Sequence, residues 1–189
     1  MAAPVRIAAI FLVAAAAVQA GLAAGAAPKP KLNPVQVENR KPGTANWLPG
    51  AASGRAIEGY ASAVSALPGD SVPLHVSTVP AARYRVVVYR LGWYQGLGAR
   101  RIACLPSCAA DEQGSARTAP APDPNTGRLD AGWPVTDTLR VPRDAVSGYY
   151  LVEFVLTSGP QSGAAAFTSF SEPPSARRRL KTSRLMSAP

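Results

Sequence analysis

Residues that usually carry chemistry are scarce in this chain. Its 189 residues include one histidine, two cysteines and two methionines, and only 16% are charged. A single imidazole, His75, excludes a histidine-rich metal centre and leaves one base for any nucleophilic triad. Carboxylates for paired acid–base work are thinly scattered: Glu58, Asp70, Asp144 and Glu153 share no motif. Long apolar runs are missing after the first residues, which excludes a further membrane-spanning helix. No stretch holds a 3.6-residue apolar period over a useful length, so long amphipathic helices are excluded too.

Turn-formers are abundant instead, with 16 glycines and 19 prolines. The first 27 residues have their own character. A short n-region with Arg6 precedes the apolar run 7–18 (IAAIFLVAAAAV), and small residues follow from Ala20 to Ala27. This is the layout of a secretory signal peptide, with cleavage after Ala20 or Ala27, and an uncleaved anchor is the competing reading. The expected organisation is a signal peptide over 1–27, a Pro-rich linker over 28–34, a β domain over 35–170 and a basic disordered tail over 171–189. The product is expected to be secreted or periplasmic, without membrane attachment once the signal is removed.

Cys104 and Cys108, separated by Leu-Pro-Ser, fit an oxidising compartment and are expected to pair across a tight loop. A redox pair normally has two intervening residues, and a zinc site needs more ligands than are at hand. Of the formal net charge of +9, the tail from Ser171 onward carries +4 (Arg177, Arg178, Arg179, Lys181 and Arg184 against Glu172), and the other +5 is spread thinly. These charges lie apart from the aromatics, so the tail reads as a solvated end and no nucleic-acid partner is expected.

Strand signals recur at short intervals. Candidates are 35–39 (a short edge strand), 57–65, 71–78, 83–91 (RYRVVVYRL), 100–104, 138–141, 148–156 (GYYLVEFVL) and 164–170. Pro73 argues for an edge or bulge position within its strand. Residues 111–134 read as a long irregular loop with a turn near Asp123 to Gly127. About six to eight short strands with turns every ten or so residues predict an all-β, immunoglobulin-like β-sandwich. The DAVSGYY segment (144–150) reads as the turn into a late strand, with one of Tyr149 and Tyr150 pointing into the core. Trp47, Tyr89, Trp93 and Phe154 are expected to supply much of the buried aromatic surface.

Three features bear on function. His75, alone in a strand, reads as a packing residue, and Glu58 as a partly exposed strand carboxylate. The segment 92–98 (GWYQGLG) does not fit a phosphate-binding glycine pattern and reads as a tight turn or bulge. Its Trp93 and Tyr94, with Tyr60 and Trp133, form a candidate contact patch for a glycan or protein. Inward packing of Trp93 and Tyr94 is the commoner outcome for aromatics on a glycine-rich turn and competes with that patch.

Several blocks resemble a known family. They are Glu38-Asn39 with Pro42-Gly43-Thr44 and Trp47, then IEGYAS (57–62), Tyr84-Arg85, YRLGWY (89–94) with Gly96, and Arg100-Arg101. Later come Pro122-Asp123-Pro124, Thr126-Gly127, Trp133 and Ser147-Gly148-Tyr149-Tyr150. Their order and spacing resemble the N-terminal β-sandwich region of the large (beta) subunit of N,N-dimethylformamidase, over about residues 35–167. The resemblance implies a sandwich beside a larger α/β domain that hydrolyses the amide, using an iron held by tyrosines and a glutamate. None of those ligands maps onto this chain, so no catalytic, cofactor-binding or metal residue is assigned here. The end of the chain resembles a truncated or frame-shifted product. The leading expectation is a non-catalytic accessory module of an exported dimethylformamidase-like hydrolase, with a catalytic domain or subunit as partner. The alternatives are a free-standing secreted binding module acting through the aromatic turn, or a hydrolase in its own right.

Overall fold

A computed structural model describes residues 31–173. The expected signal peptide, residues 28–30 of the linker and most of the basic tail lie outside the described residues. The first element is a single helical turn, α1 (Pro34–Glu38). Eight strands follow: β1 (Ile57–Ala61), β2 (Ser71–Thr78), β3 (Arg83–Leu91), β4 (Ala99–Leu105), β5 (Glu112–Gln113), β6 (Asp137–Arg140), β7 (Gly148–Leu156) and β8 (Ala165–Glu172). No helix among the described residues is long and apolar enough to cross a membrane.

The edge strand expected at 35–39 is thus helical, and the reason is local. The Asn33 side chain accepts from the Gln36 amide at 2.8 Å, while the Gln36 side chain accepts from the Asn33 amide at 2.9 Å. This reciprocal capping box, with Pro34 in the first helical position, starts a helix at low cost.

The strands form two antiparallel sheets, one ordered β1-β2-β6 and the other β4-β3-β7-β8, with β5 continuing beside β3. Alternation along each strand sends one face inward. Val72, Leu74 and Val76 of β2 meet Val86 and Val88 of β3 and Val152 and Phe154 of β7 in one core. Gly59 of β1 is required there, because a Cβ at that position would lie 2.5 Å from the Phe154 ring. The sandwich expected from the sequence is therefore present, with its strands at or near the expected positions.

Pro73 lies in the middle strand of its sheet, not at an edge. Its carbonyl accepts from Ser62 N–H at 3.0 Å, just past the end of β1 at Ala61. In an antiparallel strand the N and O of one residue point the same way. Ser62 and Pro73 are the next pair of the register, so proline leaves that pair with one bond and without the reciprocal donor to Ser62 O, a loss confined to the end of the β1 pairing.

Both flanks of β1 reach across to the larger sheet. Ala52 N–H donates to Ala165 O and Ala66 N–H to Ser171 O, which covers two stretches of the β8 edge. At the start of β7, Tyr150 is buried, stacks on Phe170 at 5.1 Å and donates its hydroxyl to Val146 O at 2.6 Å. This is a tyrosine corner of the kind found in immunoglobulin-like sandwiches. Its neighbour Tyr149 is exposed. Cys104 and Cys108 form the expected disulfide at the end of β4.

Candidate functional site

Strand β3 alternates apolar residues inward at Tyr84, Val86 and Val88, so the next inward position falls on Arg90. That puts a guanidinium, 3% exposed, at the end of the core. A buried cation needs partners for its donors. Arg90 Nε donates to Val146 O, Nη2 to Ser147 O at 2.8 Å, and Nη1 to Asn39 Oδ1, Leu91 O and the Tyr94 hydroxyl at 2.9 Å. One side chain thereby ties the α1 end, the β3–β4 turn and the entry to β7.

Helix α1 delivers the matching anion. Glu38 is buried, and its Oε1 accepts from Arg100 Nη2 at 2.6 Å, Arg100 Nε at 2.8 Å and the Tyr94 hydroxyl at 3.2 Å. Its Oε2 takes Lys41 Nζ at 2.7 Å. Burial opposes ionisation of Glu38, but the bonds from Lys41 and Arg100 outweigh it and hold the carboxyl below its ordinary range. Burial raises the Tyr94 hydroxyl despite Arg90 beside it. Burial works against the Arg100 charge, and Glu38 more than compensates, leaving Arg100 above its ordinary value. A shallow cleft of about 160 Å³ opens onto this group, lined by Glu38, Arg90, Arg100, Ile102, Asp144 and Tyr150.

The turn after β3 is shaped to let these groups meet. Tyr94 and Gln95 both have left-handed φ, +40° and +59°, within a 3₁₀ turn over Tyr94–Gly96. Gly92 leaves the space that the network fills: a Cβ there would collide with Asn39 Oδ1 and sit 2.9 Å from Arg90 Nη1. Trp47 closes the far side, its indole donating to Leu97 O at 2.7 Å and its ring lying 6.2 Å from Tyr89.

Of the expected contact patch, Tyr60 and Trp133 lie together, whereas Tyr94 is withdrawn into the interior. Tyr94 is fully buried, because its hydroxyl is needed between Arg90 and Glu38. Trp93, expected to add to the core, is 70% exposed instead, since the left-handed step at Tyr94 turns its neighbour outward. Tyr60 belongs to the smaller sheet, where it stacks on His75 at 4.4 Å with Trp133 at 5.6 Å. His75 is not isolated: Ser62 Oγ lies 2.6 Å from its Nε2 and Trp133 O lies 2.7 Å from its Nδ1. Glu58 pairs with Arg55 at 2.9 Å on the surface.

The sequence did not show that Glu38, Arg90, Tyr94 and Arg100 form one network. All four lie in the blocks quoted for the family resemblance, yet they are spread over 62 positions, and only the fold joins them. Among the described residues no group of three or more His, Cys, Asp or Glu side chains is placed to hold a metal ion. Tyr94 and Glu38 have the atom types of an iron site. Two guanidiniums and an ammonium already surround them, however, and that positive charge repels a cation. The network does not fit the iron that the resemblance associates with the neighbouring catalytic domain.

In a comparison with protein families, a model described as N,N-dimethylformamidase beta subunit-like, C-terminal, aligns with residues 85–182. It covers β3 to β8, hence Arg90, Tyr94 and Arg100, while Glu38 and the β1–β2 hairpin precede it. The description places the matched region C-terminal, whereas the sequence reading placed it N-terminal in the subunit. No curated protein matches the chain.

Proposed function

The chain belongs to the N,N-dimethylformamidase beta subunit-like, C-terminal family, and from that premise we propose that its sandwich is an accessory module of an exported amide hydrolase, non-catalytic toward the amide. The observation that carries this reading is the state of the Arg90 network. Its carboxylate, phenol and guanidiniums are spent on one another. Groups committed in this way hold a scaffold in shape and supply nothing to an amide. The module's task is then to present a surface to a catalytic domain or subunit. Export is supported by the leader-like first 27 residues and by the Cys104–Cys108 bridge.

The test is to incubate the purified chain with N,N-dimethylformamide, with and without added ferrous iron, and to follow release of dimethylamine. No release above the buffer rate is expected. Iron-dependent release by this chain alone overturns the reading. Sedimentation gives a second measure: a module that serves a partner domain self-associates through the surface it should present.

One observation favours a second reading, that of a secreted binding module. Trp93 is exposed on a turn whose backbone is held by Trp47 and Gly43. A Trp93→Ala variant that loses binding on a glycan array while keeping its fold supports this alternative.

A further inference from the structure

The Ser62–His75 pair lies on the smaller sheet and takes no part in the Arg90 network. Ser62 directly follows β1, and its amide donates to Pro73 O, which fixes its backbone against β2. Its side chain is exposed, whereas His75 on β2 is buried. The two contacts of the imidazole determine its tautomer. Trp133 O is a carbonyl and can only accept, so the proton resides on Nδ1. In the neutral ring Nε2 is then an acceptor, and the Ser62 hydroxyl donates to it across 2.6 Å.

This is the proton order of an activated serine: the hydroxyl hydrogen points to a base, and a third group orients that base. The orienting group here is a main-chain carbonyl, helped by the Tyr60 ring stacked on the imidazole at 12° between planes. Two donors stand in the same cluster. The Tyr60 hydroxyl accepts from Trp133 N–H at 3.2 Å and keeps its own hydrogen. The Trp133 indole N–H is buried and unpartnered among the described residues.

We propose that Ser62, with His75 as its base, is a nucleophile that accepts acyl groups from small activated esters. Ser62 Oγ bonds to the ester carbonyl carbon as its proton passes to His75 Nε2. The bond to the leaving alkoxide then breaks, and the alkoxide takes that proton. Water attacks the acyl-serine by the same route, which releases the carboxylic acid and restores the hydroxyl. Only ester and water are consumed. Ser62 is open to solvent, so a small acyl group on a good leaving group is the fitting substrate class. This chemistry is separate from the amide reaction of the family.

The experiment treats the purified chain with a fluorophosphonate probe, locates the adduct by peptide mass, and measures p-nitrophenyl acetate hydrolysis in parallel. One adduct on Ser62 is expected, lost in Ser62→Ala and slowed about 100-fold or more in His75→Gln. No adduct, an adduct elsewhere, or an unchanged rate in a folded His75→Gln variant overturns the proposal. Because His75 is buried, that variant can fail to fold. Imidazole ¹⁵N spectra of the unmodified chain then decide: with one histidine there is one ring to observe, and an Nε2–H tautomer overturns the assignment.

Discussion

Two carboxylates in this domain are equally hidden, and burial affects them in opposite ways. Glu38 and Glu153 are each 3% exposed. Glu38 is held ionised below its ordinary range by Lys41 and Arg100. Glu153 lies on the outward face of β7, paired across strands with Val87 and Phe167, and its hydrogen-bond partner is the Tyr89 hydroxyl. Burial pushes Glu153 up to about 7, and the Tyr89 bond recovers only part of the loss. Depth inside the protein therefore does not set the state of a carboxyl; the nearby cations do.

The largest test of this contrast removes the cation at Glu38. Arg100→Met leaves a buried anion with Lys41 and a phenol, and should cost about 3–5 kcal/mol in urea unfolding, as breaking one side of a buried pair typically does. The second test concerns Glu153. The folded state binds its proton more tightly than the unfolded chain, so its effect is a penalty, absent below about pH 4.5 and complete above about pH 7. Glu153→Gln should stabilise the fold by about 3 kcal/mol at pH 8 and by almost nothing at pH 4, read from paired denaturant curves. Glu38 has the opposite sign: the stability it contributes is present above the ordinary carboxyl range and is lost on acidification below it.

Smaller effects probe what shields each region. Cys104 packs in the cluster of Val87 and Tyr89, over which Glu153 lies. Replacing both cysteines with serine opens a five-residue loop and should cost about 2 kcal/mol by the chain-entropy relation, measured with and without reductant. Trp93→Ala, at an exposed side chain, should change stability by less than about 0.5 kcal/mol in the same assay.

The strands most legible in the sequence were those with dense β-branched or aromatic residues. Positions 71–78, 83–91 and 148–156 match β2, β3 and β7 residue for residue. The disulfide was legible because three intervening residues miss the redox spacing and a zinc site lacks its further ligands. Helix α1 was not, since five residues carry no period, although Asn33-Pro34 with Gln36 is its start signal. Trp93 and Tyr94 show a harder limit. They are adjacent and chemically alike, and one left-handed backbone step sends them to opposite environments. The Glu38–Arg100 and Ser62–His75 pairings escaped notice because each partner looks ordinary until the chain brings the other beside it.

The centre of β3 reads Val86-Val87-Val88, apolar on both faces. A slip of one residue against β4 and β7 would exchange valine for valine, and hydrophobic burial would scarcely register the error. Arg90 would register it at once. In the slipped arrangement its guanidinium would face outward, away from Val146, Ser147 and Asn39, and Glu38 would lose the neighbouring Tyr94 geometry. The buried arginine thus serves as a checksum on strand alignment, a single charged character that tells the correct pairing from a near-synonymous one.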